Sequence, residues 1–228
     1  MTQPSEQSGQ PIKRIQQNLL AASERRLLTW LCQRLPSWAT PDLLTAIGMV
    51  GAVIVFAGYW LSAIDSNWLW LAIAGLAVQW FGDSLDGSVA RFRGIERPSF
   101  GYFIDHSCDG LATLFIMGGI GLSPFVRLDA ALLCLIGYLL LSIHAFLAAR
   151  VIGELPLSHL GAGPTELRLV LVAITVAMMA LGPKPAMLGP LSAFDLLFGG
   201  VGILLILLFV VQTLRTARTI DEQEKAGR

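Results

Sequence analysis

The sequence predicts an all-α integral membrane protein: six transmembrane helices preceded by an amphipathic helix lying in the membrane interface. Three observations carry the prediction. The 228 residues are 54% hydrophobic and only 14% charged, with a mean hydropathy of +0.65, a balance foreign to soluble domains. Six apolar segments recur, at approximately 42–64, 67–91, 100–122, 129–151, 166–182 and 192–214. A spanning helix needs about 20 residues, so five qualify directly and the fifth in order is short. Pro124, Pro156, Pro164, Pro183, Pro185 and Pro190 fall between segments, where helix breakers belong.

The polar start, residues 1–11, lacks a signal-peptide apolar core and reads as disordered. Residues 12–38 place Ile12, Ile15, Leu19, Leu20, Leu27, Leu28, Leu31 and Leu35 among cationic residues and glutamines, with Trp30 and Trp38 as anchors. That pattern predicts an interfacial helix, the alternative being a helix packed on the protein's own cytoplasmic face. Residues 39–217 form the six-span membrane domain, and 218–228 a cytoplasmic tail.

Six spans put both termini on one side, and charge chooses the side. Fourteen of the sixteen Lys and Arg fall before the first span, at the second-to-third and fourth-to-fifth connections, or after the last. Only Arg127 and Lys184 lie opposite. The positive-inside rule makes the richer face cytoplasmic; the localisation expected is a bacterial inner membrane. Net charge is zero, and no basic nucleic-acid motif appears. Cys32, Cys108 and Cys134 have no C-x-x-C or zinc spacing and read as reduced thiols, mostly buried.

Within this apolar chain, Asp83, Asp86, Asp105 and Asp109 crowd one window. Helical spacing of three and four residues projects each pair from a single face. Asp83 comes roughly 24 Å along the second segment, near the far side of a ~30 Å hydrocarbon core. Arg91, Arg93 and Arg97 then mark the cytoplasmic boundary, Pro98 breaks the helix, and the next is expected near Phe100. A helical hairpin would bring the two pairs face to face just below the cytoplasmic surface. Carboxylates at membrane depth need partners, water or metal. Oxygen donors suit Mg²⁺, Mn²⁺ or Ca²⁺. Gly87, Ala90 and Gly101 offer a small-residue floor, and Arg91 a fork of donors for phosphate. Together they describe a nucleotide-diphosphate site. A cation transporter is the rival reading, but it expects acidic residues spread through the bilayer and no arginine beside them.

The run Asp83-x-x-Asp86-Gly87-x-x-Ala90-Arg91, nine residues, then Gly101-x-x-x-Asp105-x-x-x-Asp109 resembles the signature of the CDP-alcohol phosphotransferase family. The segment Thr40–Gly48 is similar to that family's Pro-Asn-x-x-Thr-x-x-Gly lead-in, with Asp42 in place of Asn. The resemblance covers about residues 12–215. It implies transfer of a substituted phosphate from a CDP-linked alcohol to a second alcohol, with release of CMP. Asp83, Asp86 and Asp105 would bind metal, Mg²⁺ or Mn²⁺ and two ions. Asp109 would be the general base, also touching metal. Asp83, Gly87, Ala90, Arg91 and Gly101 would line the cytidine and diphosphate pocket. The implied donor is CDP-diacylglycerol with a small polar alcohol as acceptor; the reverse pairs a CDP-aminoalcohol with diacylglycerol. A homodimer in membrane lipid is also implied.

Outside the signature, Arg150, Glu166 and Arg168 are candidate acceptor-pocket residues, against a helix-start reading for Thr165 and Glu166. His106 is expected to point about 100° from Asp105, away from metal, and His144 to make an interior hydrogen bond. Ser84, Ser88 and Ser107 read as polar filling. Gly118, Gly119, Gly121, Gly199, Gly200 and Gly202 suggest close helix contacts.

Overall fold

A computed structural model gives the architecture and describes residues 21–152, 163–183 and 186–226. Seven α-helices occupy them: α1 (Ala21–Cys32), α2 (Pro41–Leu61), α3 (Leu69–Arg93), α4 (Pro98–Leu122), α5 (Leu128–Ile152), α6 (Pro164–Leu181) and α7 (Ala193–Ala226). By length and composition α2, α5, α6 and α7 qualify as membrane spans. At 25 residues each, α3 and α4 reach about 37 Å, also long enough. Their aspartates and arginines dilute the apolar composition, so four rather than six helices qualify by that measure.

Several boundaries differ from expectation for local reasons. Pro98 opens α4 instead of preceding it, because a first-turn residue needs no N–H donor. Pro41 likewise opens α2, where Thr40 Oγ1 accepts from Leu43 N–H at 3.2 Å. The amphipathic helix expected over 12–38 ends at Cys32, and its first part lies outside the described residues. The chain then turns through Pro36, and its carbonyls are gathered by Arg93. That guanidinium donates to Ala39 O at 2.7 Å, Pro36 O at 2.9 Å and Leu35 O at 3.2 Å. At the other end α7 continues to Ala226, so most of the expected tail is helical. Lys225 and Asp221, one turn apart, pair at 2.6 Å.

One small sheet was not foreseen. Strands β1 (Ala186–Leu188) and β2 (Leu191–Ser192) form an antiparallel hairpin, turned by Gly189 at φ +56° and Pro190. Ser192 and Asp195 then cap α7 reciprocally: Asp195 N–H donates to Ser192 Oγ at 3.0 Å, and Ser192 N–H to Asp195 Oδ2 at 2.8 Å. Arg127 N–H donates to the same carboxylate at 2.7 Å, tying the α4–α5 connection to α7.

The closest packing is between α2 and α3. A Cβ on Gly82 would collide with the backbone at Leu44 and Gly48, and one on Gly51 or Gly58 with the backbone of Gln79 or Ala72. Small residues thus let the two backbones touch. The expected glycine contacts fall elsewhere in part: Gly119 meets Phe56 and Gly202 meets Leu133 and Cys134, whereas Gly200 faces open space. Away from the aspartates, Val55, Tyr59, Leu76, Ile120, Phe125 and Met178 build the main core. Tyr59 and Thr175 hydroxyls pair there at 2.6 Å. A second cluster, Cys32, Leu44, Leu85 and Val89, seats Leu28, Leu31 and Leu35 against α3. One face of α1 is therefore packed on the protein, while Leu27 and Trp30 stay exposed.

Candidate active site

The site is made by a hairpin whose arms diverge. Gly94, at φ +65°, ends α3 in the left-handed conformation, and Ile95 N–H closes on Ala90 O at 3.0 Å. After Arg97 the chain re-enters as α4. Both α3 and α4 pack on α2, and α4 also on α5, rather than extensively on each other. Asp83 and Asp86 from one arm face Asp105 and Asp109 from the other across the space left between them. All four line a single gap of about 10 Å³, closed by Thr45, Gly48, Gln79 and Cys108. That is near the size of one water molecule, and equally of one small cation.

Each carboxylate has a defined setting. Thr45 Oγ1 donates to Asp86 Oδ2 at 2.7 Å, fixing that carboxylate from α2. Asp83 pairs with Arg168, whose Nε also donates to Gln79 Oε1 at 2.5 Å. Asp105 and Asp109 are more open, with side chains 37% and 38% exposed. Between them His106 turns back rather than away. Its Nδ1 lies 3.6 Å from Asp105 Oδ2 and 3.8 Å from Asp109 Oδ2, because the ring is held by stacking on Phe146 and edge contact with Tyr102. Asp105, His106 and Asp109 each offer a ligand atom within 4.8 Å of the others. His106 Nε2 is buried without a partner among the described residues. Carboxylates with one imidazole fit a divalent cation of the Mg²⁺ or Mn²⁺ kind, and His106 offers a nitrogen donor beside Asp105 and Asp109 where the sequence reading considered only aspartates.

Two cavities flank the gap. The smaller, about 160 Å³, is lined by Asp86, Gly87, Ala90, Arg91, Gly101 and Asp105, with Asp42, Thr45 and Arg97. The signature residues expected around a nucleotide therefore share one wall, Asp83 excepted, which lies on the other side of the gap. A Cβ on Gly101 would meet nothing within 4 Å, and one on Gly87 would come within 3.3 Å of Arg91 Nη1. Glycine at 101 thus keeps the wall open, and at 87 it gives the guanidinium room. The larger cavity, about 590 Å³, holds Asp83, Asp105, Asp109, His106 and Arg168 on one side. On the other it is roofed by Glu24, Arg25, Leu28, Thr29 and Cys32 of α1. Burial raises the Cys32 pKa against the pull of Arg91 and Arg93, so this wall carries a neutral thiol.

The outer candidates separate. Arg168 reaches the aspartates and lines the larger cavity. Glu166 does not line it; it accepts from Gly163 N–H at 3.0 Å at the start of α6, as the helix-start reading expected. Arg150 is exposed at the end of α5 and lines neither cavity. His144 is buried, with Thr213 Oγ1 3.3 Å from its Nδ1. Ser88 and Ser107 bond backbone carbonyls of their own helices. The three cysteines are free, Cys32 and Cys134 being buried.

Residues beyond those expected also build the site. Thr45 and Gly48 are the Thr and Gly of the lead-in at Thr40–Gly48, so a signal for them existed. Gln79 stands one turn before Asp83, a polar group on the same face of an apolar helix. Nothing in the sequence indicated that Glu24 would accept from Trp80 Nε1 at 3.3 Å and from the Thr165 hydroxyl.

A family model for CDP-alcohol phosphatidyltransferase matches residues 38–214, most of the chain. The chain belongs to the CDP-alcohol phosphatidyltransferase family. Among curated relatives, "Cholinephosphotransferase 1" of Danio rerio is 31% identical over 130 residues, 51% of this chain and 34% of that protein. The human protein of the same name is 33% identical over 97 residues, 40% and 24% respectively. "Archaetidylinositol phosphate synthase" of Pyrococcus horikoshii is 37% identical over 103 residues, 45% and 52%. The chain thus spans about a third or less of those cholinephosphotransferases and about half of the archaeal synthase. Its apolar helices and this CDP-alcohol phosphatidyltransferase membership make it an integral membrane protein.

Proposed function

We propose that the chain is a divalent-metal-dependent phosphotransferase of membrane phospholipid synthesis, moving a substituted phosphate from a CDP-linked alcohol to a second alcohol and releasing CMP. The observation that carries this is the meeting of Asp83, Asp86, Asp105 and Asp109 around one ion-sized gap between two cavities. Asp83, Asp86 and Asp105 would hold the metal, and His106 offers a further donor beside Asp105 and Asp109. Divalent cations bound there supply neutralising charge for the diphosphate and for the departing CMP. Asp109 faces the larger cavity and takes the proton from the acceptor hydroxyl. That oxygen attacks the phosphorus bearing the donor's alcohol, a new P–O bond forms, and the bond to CMP breaks. Arg91 and Asp105 line both cavities, which supports a role for them along the path of the diphosphate.

In this reading α3 and α4 complete six spans, both termini and the site are cytoplasmic, and α1 lies at the interface with Leu27 and Trp30 toward lipid. Residues 39–217 are the catalytic domain, and the protein works as a homodimer. CDP-diacylglycerol is the donor and a small polar alcohol the acceptor, matching the polar walls of the larger cavity and the name of the archaeal relative. The cholinephosphotransferase relatives favour the second arrangement, a CDP-aminoalcohol donor with a lipid acceptor.

The deciding experiment incubates the purified protein and Mn²⁺ with labelled CDP-diacylglycerol and a panel of alcohols, or with CDP-choline or CDP-ethanolamine and diacylglycerol. Release of CMP with one pairing names donor and acceptor. No CMP release with any pairing refutes the enzyme.

A further inference from the structure

We propose that Arg168 competes with the bound cation for Asp83, and so keeps the site weak for metal until a diphosphate arrives. The inference rests on the reading above that the aspartates hold divalent cations. Gln79 and Asp83 stand one turn apart on α3 and share a face. Arg168, early in α6, reaches across to both. Its Nε donates to Gln79 Oε1 at 2.5 Å, and its Nη2 pairs with Asp83 Oδ2. Asp83 also lines the ion-sized gap, so one of its two oxygens is already taken by a positive charge. A cation in that gap meets a carboxylate with one free oxygen and is repelled by the guanidinium on the other.

Stability does not account for the pair. The Arg168 and Asp83 side chains are only 13% and 22% exposed, and at that depth the cost of desolvation can cancel the attraction. Nor is the guanidinium fully used. Its Nη1 is buried with no partner among the described residues, while Arg168 lines the larger cavity together with Asp105 and Asp109. Arginine presents its donors as a rigid fork that suits phosphate oxygens. A diphosphate at the aspartates offers the unused donor an acceptor, and its negative charge draws the guanidinium off Asp83. The released Oδ2 then serves the cation. Metal and diphosphate therefore strengthen each other's binding, and the coupling is reciprocal.

The test titrates Mn²⁺ into the purified full chain, with and without CDP, and follows the free ion by electron paramagnetic resonance. Without nucleotide, Arg168→Gln should bind Mn²⁺ about tenfold more tightly than wild type, a fraction of what Coulomb's law gives for two charges this close. Arg168→Lys keeps the charge but not the fork, so its gain should be about threefold. It also keeps Asp83 paired, which preserves the test where Arg168→Gln fails to fold. CDP should tighten Mn²⁺ binding in the wild type, and by less in each variant as the starting affinity rises. Thermal midpoints should fall in the order in which affinity rises, a combination that a purely structural arginine would not give. Arg25→Gln, which removes an exposed cation from the same cavity, should stay within about twofold of wild type, because solvent screens that charge. Mn²⁺ affinity unchanged or weaker in both Arg168 variants, or an equal gain in Arg25→Gln, overturns the proposal and leaves the metal site standing. A wild type that binds no Mn²⁺ in either condition overturns it together with the metal-dependent reading.

Discussion

Gly82 and Asp83 are neighbours on α3, yet they belong to regions of opposite character. On the Gly82 side the helix is buried against α2, backbone to backbone, with no space for a methyl group. From Asp83 onward it carries carboxylates toward a gap and two cavities. The first region resembles a close-packed interior, where a shift of a few tenths of an ångström is costly. The second leaves open space and crowds four carboxylates around one gap, an arrangement no fold needs for its own sake. Rigidity and chemistry are thus divided along one helix: the glycine seam sets where Asp83 and Asp86 point, and the aspartates use that position.

The largest effect should come from the chemical side. Asp109→Asn is expected to cut turnover by roughly 10²–10⁴, the usual contribution of a general base, while the thermal midpoint in detergent stays in place. Metal-dependent CMP binding should persist. Should calorimetry show that binding lost as well, Asp109 would serve chiefly as a ligand.

The converse substitution attacks the seam. Gly82→Ala inserts a Cβ into the backbone of Leu44 and Gly48, and overpacking of this kind costs about 1–3 kcal/mol or more. Thermal unfolding followed by circular dichroism should show an earlier transition than in Asp109→Asn, and reduced activity should track the loss of folded protein. If Gly82→Ala unfolded no earlier than Asp109→Asn, the division of labour along α3 would not hold.

The same division explains what could be read in advance. The aspartates were legible because charge in an apolar segment is anomalous and because helical spacing alone puts each pair on one face. The helices were legible from apolar length bounded by prolines. The α2–α3 seam was not: Gly51, Gly58, Gly75 and Gly82 look like any glycines in an apolar chain until the partner backbone is known. His106 was misjudged because rotation about the helix axis says nothing of a side chain turned back by Phe146 and Tyr102. Glu166 and Arg150 were candidates by proximity in sequence to the cytoplasmic ends. One instead serves its own helix terminus and the other is exposed. The roof formed by α1 depends on contacts about 56 and 141 residues apart, beyond any local pattern.

That roof gives the mildest test of the comparison, because it touches the open region without touching the seam. Glu24 is the polar tie of α1: it accepts from Trp80 of α3 and from Thr165 of α6. Glu24→Ala removes the one oxygen that accepts both, at about 1 kcal/mol per hydrogen bond. Trp80 Nε1 and Thr165 Oγ1 retain each other at 3.2 Å, which softens the loss. The apolar contacts of Leu28, Leu31 and Leu35 also remain, so α1 should loosen rather than detach. Hydrogen exchange of residues 22–32 is expected to quicken by several-fold, the consequence of roughly 1 kcal/mol of local opening energy, with α2 and α3 unchanged. Asp221→Asn, which breaks only the exposed pair on α7, should alter exchange at neither place. Faster exchange spreading into α2 and α3 would mean that roof and seam open as one unit, and that the boundary between Gly82 and Asp83 is local in geometry but not in stability.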